Sequence, residues 1–310
     1  MSKKSPQVEQ ENQQVWAGAL LKGLVQIFSW MPYRMVQVVG IAIGYLLYWL
    51  PSSTKSIVKK NLQAVYPNLS LAEQNQLVKQ TLLESGKTTA EFGPVWCWRQ
   101  SELNGLIKEV KGQELVDEAL AKNKGIIFLV PHMGNWEMAV PVISTQYPSS
   151  FLYRPPNVPS VESFMVKARS RFGGKLAPTD IRGVRTLIKA LKNREVTVIL
   201  PDQDPGESGG VFAPFYNRPA RTMTLVSKLI QKTDCAFLFM VVKRLPDVQG
   251  FCVHYLPADP DIASEDELQA TTALNSGVQS CIELATEQYL WAYKRYRHPP
   301  AGVEDIYKAK

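Results

Sequence analysis

Apolar positions along this 310-residue chain fall into two regimes. Between Trp16 and Pro51 they are nearly continuous, "WAGALLKGLVQIFSWMPYRMVQVVGIAIGYLLYWLP", interrupted by Lys22, Pro32 and Arg34. Beyond Pro51 they become periodic. Residues 55–100 read as helical, and "SLAE" (Ser70 to Glu73) is a capping box opening "LAEQNQLVKQTLLESG". Short branched runs then alternate with amphipathic stretches. "KGIIFLV" (124–130), "SFLYR" (150–154) and "VTVIL" (196–200) read as buried strands, and "AFLFMVVKR" and "GFCVHYLPA" as a strand pair. "VESFMVKARSRFGG" (161–174), "GVRTLIKALKNR" (183–194), "ARTMTLVSKLIQKT" (220–233) and "DELQATTALNSGVQSCIELATEQYLWAYKRYR" read as helices. The alternation predicts an α/β fold whose mixed, mostly parallel central sheet is flanked by helices.

Size and composition add bounds. A hydrophobic fraction of 45% and a charged fraction of 20% exclude wholesale disorder. The net charge of +7 favours anionic partners, but no helix-turn-helix, zinc-finger or RNP pattern supports nucleic acid. The four cysteines are scattered singly, which suits a reduced, cytosol-facing body. The sequence divides into a polar tail (1–14), a hydrophobic segment (15–51) and a body (52–310). Met35–Leu50 carries no charge, yet it is slightly short of the roughly 20 residues that span a bilayer. No small-residue cleavage site follows it. Trp30, Tyr33, Tyr48 and Trp49 suit interfacial anchoring, so an N-terminal membrane helix is expected, as a tilted span or an in-plane pair bent at Pro32. A soluble core hairpin is the alternative. Lys55, Lys59 and Lys60 follow the segment and put the body on the cytoplasmic side.

Chemistry concentrates in "LVPHMGNWE" (129–137), which holds one of the three histidines. Five residues on a continuous helix leave two side chains on different faces, so His132 and Glu137 can meet only across a bend. A strand ending at Pro131, a loop with Gly134 and a helix capped by Asn135 supply that bend. His132 then projects from the carboxyl end of a strand, where open α/β sheets place their chemistry. A carboxylate on one ring nitrogen frees the other to take a proton, which makes Glu137 the expected orienter of His132. A zinc site lacks further ligands at suitable spacing, so no metal is expected. A histidine that is merely hydrogen-bonded remains the plain alternative. "GESGG" (206–210) matches the serine-nucleophile pattern around Ser208, but "PDQDP" separates it from the strand and "VFAPF" is no helix.

Other candidates sit at strand ends. Arg154 could bind a phosphate or an oxyanion in bidentate fashion. Asp202 and Gln203 follow "VTVIL", and Asp202 could orient His132, hold a substrate hydroxyl or simply cap a turn. Arg218 and Arg221 flank Pro219 and are expected to open a helix as a phosphate site. Two basic groups could meet anionic surfaces: Arg182, Arg185, Lys189, Lys192 and Arg194 on one helix, and Lys294, Arg295 and Arg297 among Tyr293 and Tyr296 at the end of another.

Four blocks in order resemble one family, the late lipid A acyltransferases (lauroyl/myristoyl type) of Gram-negative lipopolysaccharide synthesis. "PHMGNWE" is similar to that family's His-x4-Asp/Glu motif and "LYRPPN" (152–157) to its arginine-bearing block. "LPDQDPGESGGVFAPFYNRPARTMT" (200–224) is similar to its long third block, departing where the family often has Gly at the position of Asn217 or Arg218. "QYLWAYKRYRHPP" (288–300) resembles its C-terminal signature. The resemblance implies a glycerolipid acyltransferase-like sheet at the inner membrane, facing the cytoplasm and needing no cofactor. It implies transfer of a lauroyl- or myristoyl-class chain from acyl carrier protein to a hydroxyl of a lipid A precursor, beside membrane phospholipids. In that scheme His132 deprotonates the hydroxyl for direct attack on the thioester and Glu137 orients His132. The rivals are an acyltransferase for another glycolipid, such as a phosphatidylinositol mannoside, using acyl-CoA, and a catalytically inactive membrane lipid-binding protein.

Overall fold

A computed structural model describes residues 6–153 and 159–308. Nine strands lie among the described residues: β1 (Ile107–Lys111), β2 (Ile126–Leu129), β3 (Ser149–Tyr153), β4 (Lys175–Pro178), β5 (Val196–Ile199), β6 (Gly210–Phe215), β7 (Arg218–Met223), β8 (Ala236–Arg244) and β9 (Phe251–Leu256). Seven form one sheet in the order β1-β9-β8-β2-β5-β3-β4, and β6–β7 is a separate antiparallel hairpin. Within the large sheet only β8 and β9 pair antiparallel. The α/β architecture with a mostly parallel mixed sheet is therefore as the periodicity predicts. The central strands β2 and β5 are buried along their whole length, which is why they read as continuous apolar runs.

Eleven α-helices among the described residues surround the sheet: α1 (Pro6–Ser29), α2 (Tyr33–Trp49), α3 (Ser53–Val65), α4 (Leu71–Cys97), α5 (Gln100–Leu106), α6 (Gln113–Ala121), α7 (Ala139–Ser144), α8 (Pro159–Ser170), α9 (Ile181–Lys192), α10 (Leu225–Thr233) and α11 (Glu267–Glu283). The α4 capping box forms in both directions: Ser70 Oγ accepts from the Glu73 amide and Glu73 Oε2 accepts from the Ser70 amide. Because strand side chains alternate, β2 feeds two cores. Ile127 and Leu129 pack with Leu62 of α3, Leu187 of α9, Val226 of α10 and Leu274 of α11. Ile126 and Phe128 pack with Leu103 of α5, Val116 of α6 and Ile143 of α7.

The N-terminal helices dock on α4 through glycine. A Cβ on Gly86 would lie 2.2 Å from the Gly40 carbonyl, and one on Gly44 would lie 2.5 Å from Leu83 Cα. This is the close backbone approach that a small-xxx-small pair permits. The outward side of α1, α2 and the turn between them stays apolar: Trp16, Trp30 in the turn and Trp49 are 76%, 74% and 69% exposed, joined by Leu20, Val38 and Leu46. No single helix among the described residues is long and apolar enough to cross a membrane, and α2 and α3 meet at a bend of 82°.

Three expected elements differ. Arg218 and Arg221 lie in β7, not at a helix start; the hairpin sets Pro214 opposite Pro219, so no strand pattern is evident there. Helix α11 stops at Glu283, and the aromatic stretch after it folds back against the body because Trp291, buried to 1% exposure, anchors it there. The short edge strands β1 and β4 escape periodicity because solvent reaches most of their residues.

Candidate active site

Strand β2 ends at Leu129, and the Val130 amide still bonds to Ile199 at the end of β5. Two neighbouring parallel strands thus deliver His132 and Asp202 to the same carboxyl edge. Asp202 Oδ1 lies 2.8 Å from His132 Nδ1, and Asp202 Oδ2 accepts from the His132 backbone amide at 3.0 Å. With a carboxylate at Nδ1 the ring proton resides there, and Nε2 presents its lone pair. Nε2 faces the side-chain amide nitrogen of Gln203 at 3.2 Å. Burial alone would push the Asp202 carboxyl up, but the charge of His132 and hydrogen bonds from its ring and backbone hold it below the usual carboxylate range. The imidazole itself is half-buried and opens to a cleft.

Glu137 is elsewhere, which corrects the expected pair. It lies in a 3₁₀ turn, Trp136–Met138, and its carboxylate is taken by Arg169 of α8 and by Trp96 Nε1 at 3.0 Å. A carboxylate buried to 5% exposure needs a cation, and Arg169 supplies it bidentately. Burial would raise the Glu137 carboxyl, yet Arg169 chiefly, with Trp96 and the charge of His132, brings it below its ordinary value. Glu137 therefore ties the site loop to α8, while Asp202 grips His132. Nothing in the pattern around Arg169 marks it in the sequence; only the fold brings α8 to the loop.

The loop that carries His132 is braced on three sides. Asn135 caps the turn as expected, its Oδ1 accepting from the Met138 amide. Its Nδ2 donates to Glu91 of α4, whose carboxylate is gripped by Arg244 at the end of β8. Tyr33 and Gln37 of α2 also donate to Glu91. Thr88 donates to the Gly134 carbonyl. Gly134 has φ 56°, and a Cβ there would lie 2.1 Å from the Val242 carbonyl, so glycine is required. The refolded C-terminal stretch closes the third side: Leu290 N donates to the His132 carbonyl, and the Gly134 amide to the carbonyl of Gln288. Glu91 and Arg244 carry no signal in the sequence, and the 288–300 block stands out there only as a resemblance, without its role as a brace.

The cleft beside His132 has a volume of about 320 Å³, within the range of small-ligand sites. Its floor is a row of three residues in register on neighbouring strands, Val198, Phe151 and Leu176, walled by Ala139 and Val140 of α7. His132, Gln203 and Arg169 stand at the polar end. A basic nitrogen above a hydrocarbon-lined floor can deprotonate a hydroxyl next to a bound apolar chain.

The remaining candidates divide. Arg154 lies outside the described residues. Arg218 donates to the Glu304 carbonyl and Arg221 covers the Phe212 ring; neither lines the cleft. Ser208 sits in a turn between β5 and β6, with no helix after it. Of the C-terminal basic group, Arg295 is an interior pin rather than a surface contact, donating to the Arg221 carbonyl, Thr222 and Asn275. Arg297 pairs with the Asp204 carboxylate, and the Asp204 backbone amide donates to the Tyr293 hydroxyl. Arg185, Lys189, Lys192 and Arg194 form an exposed face on and just beyond α9, which begins two residues after Thr179 at the cleft wall.

Residues 1–298 match the model of the family described as bacterial lipid A biosynthesis acyltransferase. The chain is 27% identical to the lipid A biosynthesis lauroyltransferase of Escherichia coli (strain K12), over 94% of this chain and 95% of that protein. It is 27% identical to the palmitoleoyltransferase of the same organism, over 92% of each chain. Against that organism's lipid A biosynthesis myristoyltransferase it is 23% identical, over 81% of this chain and 77% of the other. Matched along nearly its whole length, this chain belongs to the bacterial lipid A biosynthesis acyltransferase family and is an acyltransferase.

Proposed function

We propose that this acyltransferase moves a fatty acyl chain of the lauroyl/myristoyl class from an acyl carrier protein thioester to a hydroxyl of a lipid A precursor, with His132 as general base. The observation that carries the reading is the His132 ring held through Nδ1 by Asp202, its Nε2 at the polar end of a hydrocarbon-floored cleft. The acceptor hydroxyl displaces the Gln203 amide from Nε2 and gives up its proton there. Its oxygen attacks the thioester carbon directly, the C–S bond breaks, and the imidazolium returns the proton to the departing thiolate. Asp202 stabilises the imidazolium as it forms. The Gln203 amide, released from Nε2, is free to donate to the carbonyl oxygen as negative charge develops there. Glu137 acts through Arg169 as a positioning residue for the loop.

The donor acyl chain lies along Val198, Phe151 and Leu176. The acidic carrier docks on the exposed basic face of α9 beside that cleft. The apolar outer faces of α1 and α2, with three exposed tryptophans, rest in the inner membrane's cytoplasmic leaflet, in plane rather than spanning. The test is incubation of the purified protein with lipid A precursor and either carrier-protein or CoA thioesters of defined chain length, followed by product mass. Acylated lipid A from the carrier thioester supports the reading. Turnover with CoA thioesters onto a different glycolipid, or none with lipid A precursor, sinks it.

A further inference from the structure

Trp136 borders two cavities. On one side is the sheet-floored cleft that holds His132. On the other is a second cavity of about 360 Å³, enclosed by α2, α3, α4 and the refolded 288–292 stretch. We infer that this second cavity receives an acyl chain of the glycolipid acceptor, and that the Trp136 indole is the partition between acceptor and donor chains. The inference rests on the transfer reaction proposed above and assigns its second substrate a site.

Four features converge. The lining carries no charge: Leu47, Phe92 and Leu290 stand with the hydroxyls of Ser85, Thr88 and Thr89, and the one carboxamide, Gln288, is bonded to the Arg244 backbone. Such a surface suits a hydroxyacyl chain and rejects a phosphate or an acidic protein. The second feature is adjacency to the reacting nitrogen: the His132 and Trp136 rings meet edge-on at 5.2 Å, and Leu290, in the cavity wall, donates to the His132 carbonyl. His132 itself lines only the sheet-side cleft, so a hydroxyl near the head of a chain lying in this cavity reaches the imidazole past the edge of the indole, while the tail points away from the donor. Third, Phe92, in the lining of the second cavity, also packs edge-on against Trp136, with centroids 6.4 Å apart, so the indole is held as a wall. Fourth is the approach. Leu47 in the wall belongs to α2, whose neighbouring Leu46, Trp49 and Leu50 are exposed on the apolar outer face. A lipid acceptor resident in the bilayer reaches this cavity from that face, whereas the sheet-side cleft opens near the basic α9.

Filling each cavity separately tests the assignment. Thr89 is exposed at the rim of the second cavity, its hydroxyl bonded only along its own helix, so Thr89→Trp projects an indole into it without burying a polar group. Steady-state transfer is measured with donor and acceptor varied independently, and melting temperature confirms the fold. Thr89→Trp is expected to raise the KM for the lipid acceptor by roughly tenfold or more while the donor KM and donor chain-length preference stay put. Val140→Phe, in the sheet-side cleft, is expected to do the reverse and shift preference to shorter donors. Should Thr89→Trp fold poorly, Thr89→Cys gives the same answer: its alkylation above that of the parent chain is slowed by lipid acceptor and not by acyl donor. A wild-type protein that fails to acylate lipid A precursor defeats the proposed reaction itself. Wild-type turnover combined with an unchanged acceptor KM in Thr89→Trp, or a shifted donor preference there, overturns the cavity assignment alone.

Discussion

Asp202 holds His132 at two points, one carboxylate oxygen on ring Nδ1 at 2.8 Å and the other on the backbone amide at 3.0 Å. One acid thereby sets both the tautomer of the imidazole and the position of the loop that carries it. Replacing it with asparagine preserves the shape but can turn an N–H toward Nδ1, which moves the ring proton to Nε2 and removes the base. Asp202→Asn is expected to keep its fold and lose about 10²–10⁴ in kcat, the usual worth of general-base help. Purified-enzyme kinetics with a melting curve checks it.

Glu137 and Arg169 form a buried unit, so their effects should be shared. Glu137→Gln and Arg169→Met are each expected to lose activity and to destabilise by about 3–5 kcal/mol, the cost of stranding one partner of a buried pair. The double variant should be no worse than either single one. A double-mutant cycle in kcat and in unfolding free energy measures this. If Glu137 acted on His132 directly, its kcat loss would far exceed that of Arg169→Met.

The same carboxylates set the response to acid. The folded-state pKa values of Glu137 and Asp202 lie below the ordinary ones. Below about pH 4, near the unfolded values of roughly 4.3 and 3.9, the unfolded chain takes up protons that the folded chain refuses. Stability from these groups is thus complete above that range and falls as pH drops through the folded values. Denaturant midpoints between pH 3 and 6 should decline with acid, less steeply in Glu137→Gln.

Contact between α2 and α4 depends on absent side chains. Gly86→Ala drives a methyl into the Gly40 carbonyl at 2.2 Å, where only backbone could yield. Overpacking of this kind costs about 1–3 kcal/mol. A lower melting temperature is expected, with weakened bracing of Glu91 by Tyr33 and Gln37. Thermal unfolding beside transfer assays reads both.

Exposed Trp30 and Trp49 should anchor the protein in the interface. Each large apolar side chain withdrawn from water contributes on the order of 2 kcal/mol. Trp30→Ala with Trp49→Ala should therefore weaken binding to anionic phospholipid vesicles by well over tenfold, which flotation assays measure.

The buried strands were legible because parallel central strands are apolar on both faces. The α4 start was legible because its capping box is local. Edge strands β1 and β4, half in solvent, carry no such signal. The strand-end histidine stood out by sequence position, and Asp202 was visible as one of several strand-end candidates. Its partnership with His132 was one of three readings open to it, and only the order of β2 and β5 decides that this acid lies beside the ring. Glu137 looked like the partner by proximity in the chain, yet α8 brings Arg169 to it from 32 residues away. Likewise "QYLWAYKRYR" has a helical composition, and only tertiary contacts of Trp291 and Leu290 turn it into the wall behind the loop.

The most direct measurement is acyl transfer by purified His132→Gln, with lipid A precursor and carrier-bound acyl donor both saturating. An imidazole that accepts the acceptor's proton demands a loss of at least a hundredfold in kcat with the fold intact. A folded variant that retains activity within tenfold of the parent would contradict it, and leave Asp202 gripping a side chain with no part in the chemistry.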